Sequence, residues 1–266
     1  MKISLDRFPG GKLKALTMSY DDGVQQDIRL IEIFNRYGIK GTFHINGGLF
    51  GKESWSRLNE NEIKKVYEGH EISAHGYTHL GLSEISDEGI ISEIMRDREK
   101  LEKITGEPIR GMSYAFGSVN SHVAKIVGML GIEYARVVST TGEFGFPDDF
   151  LQWRGTCHHN DNLLEYADKF LSQNWHQLMY VWGHSYEFDG DDNWEHIEEF
   201  CKKIGGQDDI WYATNIEICD YIKALRGLKF TVKQDVVLNQ SAINVWITVN
   251  GNPLEIKGGK TVRLAQ

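Results

Sequence analysis

The sequence predicts an α/β protein whose parallel sheet is closed, or nearly closed, into a barrel. Short apolar runs alternate with amphipathic stretches about seven times before residue 227, the order that lays helices over parallel strands. At 266 residues the chain is long enough to bury a core of barrel size. Two motifs rich in chemistry, Asp21-Asp22-Gly23 and His75-Gly76-Tyr77-Thr78-His79, each close a strand-like run, and barrel active sites gather at the C-terminal ends of strands.

Ala15–Ser19 reads as the first strand and Gln25–Tyr37 as a helix, with Ile28, Ile31, Ile33 and Phe34 apolar and Gly38 as its stop. Gly41–Ile45 is the next strand, Asn59–Glu68 a helix closed by Gly69, and His70–Ala74 a third strand. Ser86–Thr105 is a long helix with Ser86 as N-cap, Asp87 and Glu88 in its first turn, and Gly106-Glu107-Pro108 ending it. Met112–Phe116 is strand-like, Ser121–Leu130 a helix and Tyr134–Val138 a strand. Asn162–Asn174, Asp192–Lys203 and Asn215–Leu225 are helices, with strands Gln177–Trp182 and Ile210–Ala213 between them. From residue 227 to 266 the pattern changes to Leu228–Val237, Ser241–Asn250 and Leu254–Leu264, strands joined by Asn- and Gly-rich turns. This reads as a small antiparallel β appendage, a packing cap or a carbohydrate-binding module, on a barrel spanning residues 1–226.

A net charge of −9 argues against a nucleic-acid phosphate track and against an anionic membrane surface. No apolar run reaches the length of a membrane span, and Met1–Gly11 lacks the apolar core of a signal peptide. These features predict a cytoplasmic protein, a trimmed secreted form remaining compatible. Cys157, Cys201 and Cys219 are odd in number and lack CxxC spacing, as free thiols in a reducing compartment would. Nothing in the sequence speaks to oligomeric state.

Two imidazoles and one carboxylate form a three-ligand set that leaves a coordination position for water. A second aspartate beside the first could take a proton from that water. His75 and His79 share the His-x3-His spacing of the HExxH metalloproteases, but position 76 is Gly, so the glutamate base of that motif is missing.

Ser19-Tyr20-Asp21-Asp22-Gly23 resembles the Thr-Phe-Asp-Asp-Gly signature of the polysaccharide deacetylases, the NodB-like carbohydrate esterase family 4. His75-Gly76-Tyr77-Thr78-His79 is similar to that family's His-Ser/Thr-x-x-His motif, and Thr42-Phe43-His44-Ile45 to the strand between the two. The resemblance runs from about Leu13 to Leu225. It implies a distorted (β/α)7 barrel related to the TIM barrel, Asp21 as catalytic base, and Asp22, His75 and His79 as ligands of a divalent metal, usually zinc. Ser113-Tyr114-Ala115-Phe116-Gly117 stands where the family has Arg-Pro-Pro-Tyr-Gly. The Phe116 N–H is then the oxyanion donor, but the family's arginine is replaced by Ser113. Arg154, in Gln152-Trp153-Arg154-Gly155, is the expected replacement beside Asp21.

His184 ends an apolar run like the family's last motif and is the expected acid for the leaving group, its tautomer set by Glu187 or by Asp189. Phe116, Gly117, Tyr114, Trp153 and Arg154 are the expected substrate contacts. Trp55, Trp153, Trp175, Trp182 and Trp194 read as core, with Trp153 and Trp182 near enough to strand ends to wall a sugar ring. His44 is expected at the pocket edge. His158 and His159 beside Cys157 form a further ligand-rich cluster without zinc-finger spacing.

The reading is a metal-dependent hydrolase that removes acetyl groups from an N- or O-acetylated carbohydrate. Its rivals are a hydrolase of linear or cyclic amides on the same scaffold and a non-catalytic carbohydrate-binding barrel, which would have no need of the base Asp21. An iron(II) oxygenase would also use two histidines and a carboxylate, but typically as His-x-Asp on a β-sandwich.

Overall fold

The structure, a computed structural model, describes residues 1–52 and 56–264. Trp55 therefore lies outside the described residues. The strands in chain order are β1 (Ile3–Ser4), β2 (Lys14–Asp21), β3 (Gly41–Ile45), β4 (Glu71–Ala74), β5 (Gly111–Ser113), β6 (Tyr134–Thr140), β7 (Trp153–Gly155), β8 (Cys157–His158), β9 (Gln177–Gly183) and β10 (Ile210–Tyr212). The helices are α1 (Asp27–Arg36), α2 (Glu60–Val66), α3 (Asp87–Thr105), α4 (Ser121–Met129), α5 (Leu163–Ser172), α6 (Glu187–Gly190), α7 (Trp194–Ile204) and α8 (Asn215–Arg226).

Parallel pairing runs β6-β5-β4-β3-β2-β9. The gap between β6 and β9 is closed by one short segment that changes partner halfway. Its first half, β7, pairs with β6, and its second half, β8, pairs with β9. Counting residues 153–158 as one strand, seven parallel strands form a closed α/β barrel. The register slips between Val137 and Thr140, and this bulge opens a lateral cleft of about 920 Å3 lined by Val138, Thr140, Arg154 and Thr156. β10 adds a short eighth strand against Lys14–Leu16, below the point where β3 joins β2 at Met18.

Alternation along each strand sorts its side chains. Leu16, Met18 and Tyr20 of β2 join the apolar cluster beneath the helices. Thr17 and Ser19, on the opposite face, join a polar network in the lumen: Thr17 donates to Asn215, Ser19 lies 2.9 Å from His44 Nε2, and Asn215 donates to Tyr180. Asp21 is the last residue on this lumen face.

Helix ends match their chemistry. Ser86 accepts from the Gly89 N–H, Gly106 ends α3 in the left-handed region, and Thr214 forms a capping box with Glu217. All three cysteines are free and buried. Among the described residues no helix is long and apolar enough to cross a membrane.

The remaining strands are β11 (Lys229–Phe230), β12 (Val236–Leu238), β13 (Val245–Val249), β14 (Asn252–Ile256) and β15 (Thr261–Arg263). They form two three-stranded antiparallel sheets, β11-β12-β15 and β1-β13-β14, so the N-terminal strand completes the C-terminal appendage. The β13–β14 hairpin turns through Asn250 and Gly251, both at positive φ, as a twist-matched two-residue turn requires. Val237, Val245, Ile247 and Ile256 share one core with Phe8, Ile222 and Leu225 of the barrel side. The Tyr221 hydroxyl donates to the Arg7 carbonyl and accepts from the Trp246 N–H, each at 2.9 Å.

Asp27, the first residue of α1, is fully buried and accepts from the Ser185 and Tyr67 hydroxyls at 2.5 and 2.6 Å. Burial pushes its carboxyl up to about 7 against those hydrogen bonds. An unfolded aspartate titrates near ~4, so the folded chain holds this proton more tightly. The resulting stabilisation is complete below about pH 4 and is lost as pH rises to about 7. Asp27→Asn should remove a pH-dependent component on the order of 4 kcal/mol from denaturant unfolding curves measured between pH 4 and 8. A wild-type-minus-variant difference that is flat across that range would contradict this titration.

Candidate active site

Three loops at the C-terminal ends of strands meet over the lumen, and each is held in an unusual conformation. Asp22 turns the chain at φ 90° while its N–H donates to the His44 carbonyl at 2.8 Å. The two consecutive aspartates therefore point in different directions. His79 and Phe116 also lie in the left-handed region, at φ 63° and 56°. Such non-glycine conformations each cost on the order of 1–3 kcal/mol and concentrate at functional sites.

The loop carrying the histidines is fastened from below. Asn46 Nδ2 donates to the His75 and Gly76 carbonyls at 2.8 and 2.7 Å. Asp97 of α3 accepts from the Gly47 and His75 N–H groups, and Glu93 accepts from the Thr78 N–H and hydroxyl.

His75 Nε2 and His79 Nε2 lie 3.1 Å apart, and Asp22 Oδ1 lies 3.9 and 3.6 Å from them. These three residues form a candidate ion-binding group. Donor atoms around a tetrahedral zinc with bonds of ~2.0–2.1 Å are separated by roughly 3.3–3.5 Å, so the set fits such an ion. His75 Nδ1 lies 3.0 Å from the Ser113 carbonyl, which fixes the tautomer that leaves Nε2 free for a metal. Burial, with help from His75, pulls His79 down to about 4, so its imidazole is neutral as a ligand must be. Arg57, a residue the motifs did not suggest, donates to Asp22 Oδ1 at 2.9 Å from a buried position.

Asp21 is buried beside this group. Its Oδ1 accepts from the Ser113 hydroxyl at 3.0 Å and its Oδ2 from the Arg136 guanidinium. Burial alone would raise its carboxyl, but Arg136, helped by His75, His44 and His184, holds it well below the usual carboxylate range. The guanidinium expected from Arg154 thus comes from Arg136. Ser113 and Arg136 are register partners across β5 and β6, so the charge missing from one strand is supplied by the residue paired with it. Arg154 alternates to the outside of β7, where it is exposed and lines the lateral cleft. Arg136 is wholly buried, with its guanidinium 4.4 Å over the Trp182 ring.

His184 Nε2 lies 4.0 Å from Asp21 Oδ2, and its Nδ1 lies 3.2 Å from Glu187 Oε1. Glu187 is the carboxylate at its side; Asp189 instead accepts from Trp194 and Gln26. Burial opposes the change, but the Glu187 and Asp21 carboxylates raise the His184 imidazole above its ordinary value.

The remaining expected substrate contacts divide. Phe116 is 73% exposed, its ring 4.5 Å from that of His79, and Gly117 follows it at φ 64°. Tyr114 is buried with its hydroxyl tied to the Leu151 carbonyl at 2.9 Å, so it does not face the site. Trp153 is core, packed edge-on against Tyr134, Phe150 and Tyr180. His44 lies inside the lumen rather than at the pocket edge, and burial pulls it down to about 3. Residue spacing pointed to neither Arg136 nor Arg57.

Fold and site together define a barrel of the NodB type with an Asp/His/His group and a separate aspartate at the strand ends. Residues 10–135 match the family model described as polysaccharide deacetylase. The peptidoglycan-N-acetylglucosamine deacetylase PgdA of Listeria monocytogenes is 24% identical over 125 residues, 46% of this chain and 26% of that protein. A chitin deacetylase of Pestalotiopsis sp is 24% identical over 138 residues, 50% of this chain and 45% of that one. The chain thus spans between about a quarter and a half of the length of these relatives. Among solved structures, a candidate polysaccharide deacetylase from Mycobacterium smegmatis shares the fold at TM-score 0.61 and 17% identity, over 82% of this chain and 93% of that one.

Proposed function

We propose that the chain is a metal-dependent hydrolase that releases acetate from an N-acetylated carbohydrate, or from an O-acetylated one. The observation that carries this is the Asp22/His75/His79 group set against Asp21, a separate carboxylate kept ionised by Arg136 and Ser113. A divalent ion, zinc by the donor set, when bound would supply the Lewis acidity that activates the acyl carbonyl and the attacking water. Asp21 takes the proton from that water. The Phe116 N–H donates to the oxygen of the acyl carbonyl as charge develops on it. His184, with the Glu187 carboxylate 3.2 Å from its Nδ1, returns a proton to the leaving amine or alcohol. The exposed Phe116 ring offers a face on which a sugar can stack. The names of the relatives, deacetylases of peptidoglycan N-acetylglucosamine and of chitin, support the N-acetyl reading.

A second reading, hydrolysis of a small amide, draws support from a pocket of about 220 Å3 lined by Asp22, Gln26, Ser56, Arg57 and Tyr186. That volume suits a small charged group better than a polymer.

Acetate release should be measured from chitooligosaccharides, acetyl-xylan and small N-acyl amides. Release from the first is expected, lost with chelator and restored by added zinc. Release that is indifferent to chelator would overturn the metal-dependent mechanism, and turnover of the amides alone would favour the second reading.

A further inference from the structure

Glu187 opens α6 beneath His184, and its carboxylate faces three imidazoles at once. His158 Nε2 and His159 Nε2 lie 3.2 and 3.1 Å from Glu187 Oε2, and His184 Nδ1 lies 3.2 Å from Oε1. At such separations a ring N–H aimed at the oxygen would make an ordinary hydrogen bond. Yet His184 Nδ1 and His159 Nε2 are both buried and neither has a hydrogen-bond partner among the described residues, although His159 is wholly enclosed. Close approach without alignment is the geometry of donors that share an ion. Two atoms each ~2.0–2.1 Å from one metal lie ~3.3 Å apart, with their lone pairs converging on the metal rather than on each other.

We propose that His158, His184 and Glu187 form a second site for a zinc-class divalent ion, and that filling it inhibits the enzyme. The donor atoms of these three residues lie within 4.8 Å of one another. Contacts to neighbouring residues fix their placement. His158 ends β8, with its N–H donating to Asp161 at 2.7 Å, and the His184 N–H donates to Glu187 Oε2 at 3.1 Å. The His158 ring packs edge-on against Trp182 at 4.6 Å. Two imidazoles and a carboxylate are the donor types zinc prefers, with a fourth position left to water or to His159.

The two sites share one ring. The Nε2 edge of His184 faces Asp21 and its Nδ1 edge faces the second site. An ion at Nδ1 takes the place of the proton there, so the ring can no longer become the doubly protonated imidazolium that serves as the acid. The inhibition rests on the function proposed above; the binding does not.

The test begins with metal-free protein titrated with zinc by calorimetry, and with cobalt(II) by its visible absorption. Wild type is expected to bind two equivalents. His158→Ala, or His158→Asn as the shape-conserving alternative, should bind one, and His75→Ala should lose the other. With one equivalent bound, further zinc should slow acetate release by about tenfold or more, while His158→Ala keeps its basal rate and resists excess zinc. A single equivalent in wild type, or two in His158→Ala, would overturn the second site. Unchanged zinc sensitivity in His158→Ala would overturn the inhibitory role. Two equivalents in wild type and one in His158→Ala, without acetate release from any substrate, would uphold the second site and sink the deacetylase reading.

Discussion

Asp21→Asn is expected to lower turnover by about 10³–10⁴-fold while leaving one metal equivalent at Asp22, His75 and His79. The substitution keeps the shape of the side chain and its acceptor for the Ser113 hydroxyl, but the amide cannot take a proton from water. The loss should fall on kcat, with KM nearly unchanged, because the base acts in the transition state rather than in binding. Metal content measured on the purified variant separates two roles that adjacent aspartates could exchange. If Asp21→Asn loses the ion and Asp22→Asn keeps it, their assignments are reversed. The same pair of measurements addresses the non-catalytic alternative: a binding barrel would hold acetylated oligosaccharide equally well with either residue and release no acetate in either case.

Much of the barrel was legible because buried parallel strands leave short apolar runs, and because the helices between them keep a 3.6-residue period. Gly41–Ile45 has the same bounds in sequence and structure, and the long helix starts after Ser86 and stops at Gly106 in both. Residues 153–158 left no such trace. Their six residues pair with β6 over one half and β9 over the other, too briefly for any period to show. The site was legible as far as contiguous motifs carry it. Asp22, His75 and His79 come together because strand ends and one loop bring them there. Arg136 was invisible for a different reason: in Tyr134-Ala135-Arg136-Val137 it reads as one polar residue in a strand, and only the register with Ser113 puts it over Asp21. Nearness to a familiar motif favoured Arg154, yet a strand points alternate side chains to opposite faces; Trp153 and Gly155 turn inward and Arg154 outward. The choice between Glu187 and Asp189 is made by the turn into α6. The His184 N–H donates to Glu187 Oε2 and brings that carboxylate back beside the ring, while Asp189 is taken by Trp194 and Gln26.

Arg136→Met should damage both stability and chemistry, by separable routes. The guanidinium is wholly enclosed between Asp21 and the Trp182 ring, so removing it strands a buried carboxylate, at a cost on the order of 3–5 kcal/mol in unfolding free energy. Activity should fall by about 10²-fold even where the variant is folded, because Asp21 loses the donor that fixes its orientation. The direction of the pH effect follows from the charge. Arg136 now holds Asp21 low, so without it burial raises the carboxyl, and the acid limb of kcat/KM moves to higher pH. A purely structural arginine would lower the melting temperature without moving that limb. The decisive control is the exchange Ser113→Arg with Arg136→Ser, which returns the guanidinium to the strand where the family carries it. Since positions 113 and 136 are paired across β5 and β6, the double variant should recover at least part of both the activity and the original acid limb. Full activity with an unmoved acid limb in Arg136→Met would show instead that Ser113 alone orients the base.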